Sequence, residues 1–215
     1  MYHTVIFDLD GTLLDTLEDL ADAVNYALDV HGYPSRTIEE VRRFVGSGAA
    51  RLIALSVPEG AAYEPVLETY RTYYQAHSLV KTGPYPGILE ALEAIRSKYP
   101  AAIVSNKPDP SVKLLCRQFF GDIYALGETP DCPRKPAPDM LYKAMHALGV
   151  DRFIYVGDSD VDVITARGAG AKCVSVLWGF RNEDEIRAVG GEYFCRTAQE
   201  LPSMIENLLA SDFKE

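Results

Sequence analysis

The sequence predicts an α/β fold, a doubly wound parallel sheet with an all-helical segment inserted after its first strand. Three observations carry that expectation. Short apolar runs, Tyr2 to Phe7, Ala101 to Val104, Phe153 to Val156 and Cys173 to Leu177, each end abruptly in small or polar residues. Helix-like segments separate them, which implies βαβ units and a sheet covered on both faces. From Asp15 to about Thr82 the alternation stops and only helical periodicity remains.

Taken in order, Tyr2 to Phe7 is a β-rich run that stops at Asp8, as a buried strand feeding a loop does. Thr16 and Asp19 have the spacing of a capping pair ahead of Leu17, Leu20, Ala21, Val24 and Leu28, an apolar face at helical spacing. Val30-His31-Gly32 reads as the end of that helix, with Gly32 as its left-handed cap. Thr37 to Glu40 is a second capping box and opens a helix towards Val45, which Gly46-Ser47-Gly48 breaks. Further helices run from Ala49 to Ser56 and through Tyr63, Val66, Leu67, Tyr70 and Tyr74. The tyrosine stripe reads as core of this helical unit. Lys81 to Gly87 holds two prolines and two glycines in seven residues, the composition of a return linker. The expected organisation is a discontinuous core, 1–14 and 83–215, and a helical cap, 15–82, joined by two crossings that make a hinge.

Composition bounds the function classes. The chain has 215 residues, 47% hydrophobic and 24% charged, the balance of a globular protein with a sizeable core. No apolar run approaches the roughly 20 residues of a membrane-spanning helix. The Met1-Tyr2-His3-Thr4 start has no basic region or cleavage site, so a cytoplasmic protein is expected. A formal charge of -10 argues against nucleic acid as a partner, because phosphate backbones are held by a surplus of Lys and Arg. Small anions are still allowed, since a few cations and a metal ion can dominate one pocket. The four cysteines, Cys116, Cys132, Cys173 and Cys195, have no C-x-x-C spacing and read as reduced, mostly buried thiols. Cys132 lies in a polar loop and is the one expected to be oxidisable.

Ligands in parallel α/β sheets collect at the carboxyl ends of the strands, which directs attention to the residues just past each apolar run. After the first comes Asp8-Leu9-Asp10-Gly11-Thr12, with two carboxylates on one side of an extended segment and a turn at Gly11 and Thr12. Like charges that close are costly unless a cation or a shared proton relieves them. After Val104 come Ser105, Asn106 and Lys107; a hydroxyl and an amide can donate to phosphoryl oxygens, although alone the pair reads as a turn. Arg134-Lys135-Pro136-Ala137-Pro138 would fix the path of a Lys whose ammonium could neutralise negative charge, although alone it reads as a solvated basic loop. After Val156 comes Gly157-Asp158-Ser159-Asp160-Val161-Asp162, an acid-rich loop suited to a hard cation, with Asp160 placed to cap the next helix.

These four clusters, in this order, resemble the motifs of the haloacid dehalogenase-like hydrolase superfamily. Asp8 to Thr16 resembles the first motif, Ser105 the second, Lys135 the third, and Asp158 with Asp162 the fourth. Within it, Thr12-Leu13, the Gly46-Ser47-Gly48 break and Ser105-Asn106-Lys107-Pro108 look most like the phosphoglycolate phosphatase group. The resemblance covers essentially the whole chain and implies a Rossmann-like core with a helical cap.

It also implies roles. Asp8 is the nucleophile that forms an aspartyl-phosphate, and Asp10 protonates the departing oxygen and then activates water. Mg²⁺ sits between the Asp8 carboxylate, the Asp10 backbone carbonyl and Asp158. Gly11, Thr12, Ser105, Asn106 and Lys135 bind phosphate, and Asp162 orders Lys135 or a metal-bound water. Asp10 favours phosphoryl transfer over dehalogenation, because a departing halide needs no proton. Arg42, Arg43 and Arg51 flank the Gly46 break, where one could meet a substrate carboxylate; His31 and His77 receive no role. The expected partner is a small phosphorylated metabolite, met by a monomer or homodimer. Alternatives are a β-phosphoglucomutase-like transferase, a pyrophosphatase, a phosphatase of nucleotides or sugar phosphates or, outside enzymes, a regulatory metabolite-binding module.

Overall fold

The computed structural model describes residues 3–211. Strand β1 (His3–Phe7) leads through a turn to β2 (Leu14–Asp15) and four helices, α1 (Leu17–Val30), α2 (Ile38–Phe44), α3 (Ala49–Ser56) and α4 (Glu64–His77). The chain returns through β3 (Gly83–Pro84) to α5 (Ile88–Arg96), β4 (Ala101–Pro108), α6 (Asp109–Phe120), β5 (Tyr124–Glu128) and α7 (Asp139–Ala147). It continues with β6 (Arg152–Gly157), α8 (Asp160–Gly168), β7 (Lys172–Val176), α9 (Glu183–Ala188), β8 (Tyr193–Cys195), a short 3₁₀ turn and α10 (Leu201–Ser211). Six strands form one parallel sheet in the order β5-β4-β1-β6-β7-β8. Tyr2, where the sequence opens the first strand, lies outside the described residues.

The side-chain period of two along β1 explains the layering. Val5 and Phe7 face one side, with the apolar faces of α5, α6 and α10; Ile6 faces the other, with Met140, Leu141, Val163 and Ile186. Both faces of the sheet are therefore covered, and its central strands are apolar throughout. The two edge strands of this sheet carry a weaker apolar signature than the rest. β8 has three residues and β5 contains a glycine, so neither gives the apolar run that marks a central strand. β4 also runs past Val104 to Pro108 with a register shift, which puts Ser105, Asn106 and Lys107 on the strand itself.

Helices α1 to α4 pack on their own core, with Val24, Leu28, Ile53, Val66, Tyr70 and Tyr74 buried together. Burying each such side chain stabilises by about 1.5–3 kcal/mol, which holds these short helices where propensity alone would not. Thr37 and Glu40 form the expected capping box and Gly32 takes the expected left-handed conformation (φ 70°). Thr16 and Asp19 do not cap α1. The Thr16 hydroxyl donates instead to Asp10 Oδ1 (2.6 Å), and buried Asp19 accepts from the Lys81 and Thr82 amides (3.0 and 2.9 Å) and the Thr82 hydroxyl (2.8 Å). With β2 paired antiparallel to β3, Asp19 clamps the outgoing and returning segments side by side.

Cys132 also departs from expectation: it is buried, like the other three cysteines. The His31 ring lies 2.9 Å from the Thr69 hydroxyl and the His77 ring 2.8 Å from the Tyr73 carbonyl. No helix among the described residues is long and apolar enough to cross a membrane.

Candidate active site

The carboxyl ends of β1, β4 and β6 and the loop after β5 converge on one cavity of about 530 Å³, roofed by α1, α3 and α4. Asp8 stands at the end of β1, where its Oδ1 accepts from the Leu9 amide (2.7 Å) and from Lys135 Nζ (2.9 Å). Lys135 Nζ also reaches Asp162 Oδ1 (2.8 Å) and the Tyr155 hydroxyl (2.9 Å). Asp162 Oδ2 accepts from the amide (3.1 Å) and hydroxyl (2.6 Å) of Ser159. That pairing caps α8, the role the sequence suggests for Asp160. Asp160 Oδ1 instead lies 3.4 Å from Arg181 Nε.

Asp158, at the end of β6, accepts from the Thr12 hydroxyl (3.1 Å) and from the Phe180 amide (2.7 Å). Gly11 explains the closeness of the first and fourth motifs. It has φ +78°, and a Cβ there would fall 2.3 Å from Asp158 Oδ2. Asp8, Asp158 and Asp162 offer carboxylate oxygens within 4.8 Å of one another, all buried. Burial pushes the Asp8 carboxyl well above its usual range; Lys135 opposes that, and the charges of Asp162 and Asp158 add to it. Burial, then the Asp162 charge, pushes Asp158 up to about 7. Burial works against the Lys135 ammonium, but the charges of Asp162 and Asp8 outweigh it and raise its pKa.

These oxygens suit a small hard cation, and the raised carboxyls have the charge imbalance that a divalent ion would relieve. Asp162 is already saturated by Lys135, Tyr155 and Ser159. Asp8 and Asp158 are the carboxylates left to meet an ion. The Asp10 side chain points elsewhere: its Oδ1 takes the Thr16 hydroxyl (2.6 Å) and Lys107 Nζ (3.1 Å).

Three residues expected to bind phosphate are engaged differently. The Gly11 amide bonds the Leu14 carbonyl (2.9 Å), the Thr12 amide bonds the Leu9 carbonyl (3.4 Å), and the Thr12 hydroxyl is given to Asp158. Neither residue lines the cavity; both shape the turn that presses on Asp158. Asn106 Nδ2 donates to the Lys135 carbonyl (2.9 Å) and the Gly46 carbonyl (3.0 Å), and its Oδ1 accepts the Lys135 amide (2.9 Å). Asn106 thus braces Lys135 and touches the cap, with no spare amide hydrogen. Ser105, Asn106 and Lys135 do line the cavity.

Lys107, Tyr74 and Arg181 carry contacts that the sequence does not single out. Lys107 stands in the Ser105 to Pro108 run, one residue beyond the pair suited to phosphoryl oxygens. Arg181 lies in the loop after β7, a strand end where no motif draws the eye. It donates to the carbonyls of Arg42 (2.9 Å), Arg43 (3.1 Å) and Val45 (2.8 Å), across to the end of α2. Arg42, Arg43 and Arg51 do not line the cavity, whereas Arg71 and Arg181 do. Tyr70 and Tyr74 are cap core, as expected, yet both also line the cavity.

A family model for haloacid dehalogenase-like hydrolases matches residues 5–176. Phosphoglycolate phosphatase of Aquifex aeolicus is 33% identical over 185 residues, which cover 83% of this chain and 86% of its own length. Phosphoglycolate phosphatase of Cereibacter sphaeroides is 31% identical over 216 residues, covering 96% and 99%. A crystal structure from Lactobacillus delbrueckii subsp. bulgaricus, provisionally described as a phosphoglycolate phosphatase, superposes with a TM-score of 0.89 at 36% identity, covering 95% of this chain and 98% of that one.

Proposed function

Because the chain belongs to the haloacid dehalogenase-like hydrolase family, and is a phosphoric monoester hydrolase of its phosphoglycolate phosphatase-like group, we propose that it cleaves a small carboxylate-bearing phosphate ester through an aspartyl-phosphate on Asp8. The observation that carries this reading is the placement of Lys135 Nζ between Asp8 (2.9 Å) and Asp162 (2.8 Å) at the floor of the cavity. A buried ammonium held by two carboxylates keeps the nucleophile oriented and offers charge to an incoming phosphoryl oxygen.

An Asp8 carboxylate oxygen attacks phosphorus, and the ester P–O bond breaks as its electron pair takes a proton from Asp10. The alcohol leaves and the phosphoryl group stays on Asp8. Asp10 then accepts a proton from a water that attacks phosphorus, the bond to Asp8 breaks, and inorganic phosphate departs with the Asp8 carboxylate restored. Ser105 and Lys135 hold phosphoryl oxygens, while Asn106 and Asp162 act through Lys135, which they brace from either side. Asp8, Asp158 and the Asp10 backbone carbonyl would hold Mg²⁺, whose charge offsets the repulsion between Asp8 and a phosphate dianion.

Residues 15–82 act as the cap over the core of 1–14 and 83–215, shutting bulk water out. The Aquifex aeolicus and Cereibacter sphaeroides relatives are phosphoglycolate phosphatases, and Arg71 and Arg181 on the cavity wall give a small carboxylate two cations to meet. The test is phosphate release from phosphoglycolate, from p-nitrophenyl phosphate and from a hexose bisphosphate, each with and without Mg²⁺. Release from phosphoglycolate that needs Mg²⁺ supports the reading. Phosphate exchange within the bisphosphate, without release, would replace it with a mutase.

A further inference from the structure

Asp10 is gripped from two elements, and one of those contacts is tied to a third element. Its Oδ1 accepts from the Thr16 hydroxyl (2.6 Å), at the start of α1, and from Lys107 Nζ (3.1 Å), on β4. The same Lys107 Nζ donates to the Tyr74 hydroxyl (2.9 Å), on α4, and lies 4.5 Å from the centre of that ring. Lys107 is buried, its side chain 5% exposed, so its geometry is set by these partners and not by water. Burial, with the charges of Asp10 and Asp19, keeps the Tyr74 hydroxyl neutral, so it accepts from the ammonium without competing for its charge.

Both donors meet the same oxygen of Asp10. Among the described residues Oδ2 has no partner, and Asp10 lines the cavity. A carboxyl pinned through one oxygen has its plane fixed and its second oxygen aimed, which is what a proton donor needs. Lys107 belongs to the base of the cavity, Thr16 to the crossing that enters the cap, and Tyr74 to the cap itself. The Tyr74 hydroxyl is thus the one hydrogen-bond partner from α4 that restrains the Lys107 ammonium among the described residues.

We propose that Lys107 is a positioning residue for Asp10 and that Tyr74 makes this grip conditional on the cap, so that the proton donor is aligned only while α4 lies against β4. The inference rests on the reading that Asp10 protonates the departing oxygen. Cap closure and acid alignment then become one event, and an ester bound under an open cap is not cleaved.

The test is a leaving-group series. kcat and KM are measured with Mg²⁺ for 2,4-dinitrophenyl phosphate, p-nitrophenyl phosphate, phenyl phosphate and an alkyl phosphate, on the wild type and on Asp10→Asn, Tyr74→Phe and Lys107→Met. A dinitrophenolate leaves without a proton, whereas an alkoxide does not. Asp10→Asn should lose about 10²–10⁴-fold in kcat/KM, which stops at the departure of the alcohol, on the alkyl ester and far less on the dinitrophenyl ester. Tyr74→Phe, which keeps the ring and removes only the hydroxyl, should lose about 10-fold on the alkyl ester and about 2-fold or less on the dinitrophenyl ester, with KM unchanged. Lys107→Met should show the same slope with a larger loss.

Equal losses on every ester in Tyr74→Phe would overturn the inference and leave the reading of Asp10 standing. So would an effect of Lys107→Met confined to KM for carboxylate-bearing esters, which would make Lys107 a reader of the substrate. A flat series for Asp10→Asn would remove that reading and the inference with it. Should Lys107→Met fail to fold, Tyr74→Phe decides alone.

Discussion

The floor of the cavity and its seam with the cap use the same kinds of groups in opposite ways. On the floor, Asp8 at the end of β1, Lys135 in the loop after β5, Tyr155 in β6 and Asp162 in the first turn of α8 bond one another within the core. At the seam, Lys107 reaches Tyr74, Asn106 reaches the Gly46 carbonyl, and Arg181 reaches the end of α2; every one of these bonds joins the core to the helical unit. The bonds of the floor involve no residue of the cap. The seam exists only when the two are together. A hydrolase divided in this way can keep its reactive groups organised at all times and make reaction wait for closure.

The largest expected effect comes from the floor. Asp8→Asn should abolish phosphate release, because an amide cannot form the acyl-phosphate. Its melting temperature should stay level or rise in metal-free buffer, since a buried charge that repels Asp158 and Asp162 has gone. A steady-state assay and a thermal scan check both halves. Residual turnover near the wild-type rate would remove Asp8 as nucleophile.

Lys135→Met comes next and should damage fold and turnover together. It leaves Asp8 and Asp162 buried without their cation, a loss of about 3–5 kcal/mol by comparison with other broken buried pairs. For a chain of this size that is a fall in Tm on the order of 10 °C. A variant that melts with the wild type would mean that the floor is not held by this ammonium, and the contrast with the seam would lose its basis.

The metal question sharpens the same contrast through pH. Asp158 has its pKa pushed up to about 7 by burial and by Asp162, against an ordinary value of about 3.9. The folded chain therefore binds a proton that the unfolded chain has released. In metal-free buffer, stability should fall as pH rises from about 4 to about 7. A divalent ion bound to the ionised carboxylates would offset that fall, so the gain in Tm from Mg²⁺ should be larger at pH 8 than at pH 5, by on the order of 5 °C. Equal gains at both pH values would disconnect the ion from Asp158.

The floor was legible in the sequence for the reason that makes it robust. Asp8 and Asp158 each lie just past an apolar run, and a parallel sheet brings strand ends together, so the two meet without knowledge of any loop. Lys135 was placed by the order of the motifs, although nothing in that order reveals its brace through Asn106. The seam was not legible. Tyr74 sits in an apolar stripe that α4 would need in any case, and nothing local marks its hydroxyl as the partner of a Lys 33 residues away. Asp19 had the spacing of a cap residue and serves the crossing instead, because the Lys81 and Thr82 amides reach it from the other side. Even the fold shows the divide: the central strands declare themselves by apolar runs, whereas β5 and β8 at the edges are strands only because a neighbour offers its ladder.

The smallest effect should belong to Arg181. Its guanidinium donates to three carbonyls at the end of α2 while Nε faces Asp160, so it fastens the closed cap by hydrogen bonds and by its charge at a helix C-terminus. The carbonyls can turn to water when the cap opens, so the net worth is about 1–1.5 kcal/mol, equivalent to roughly a tenfold shift between closed and open forms. Arg181→Met should therefore raise KM several-fold and leave Tm within about 2 °C of the wild type, because inside the core it gives up only the long, partly exposed ion pair with Asp160. Arg181 also lines the cavity, which separates two outcomes. A rise in KM shared by phosphoglycolate and phenyl phosphate marks a latch, since closure serves every ester alike. A rise confined to phosphoglycolate marks a cation that meets the substrate carboxylate, and the work of fastening the cap would then fall to Asn106 and Tyr74.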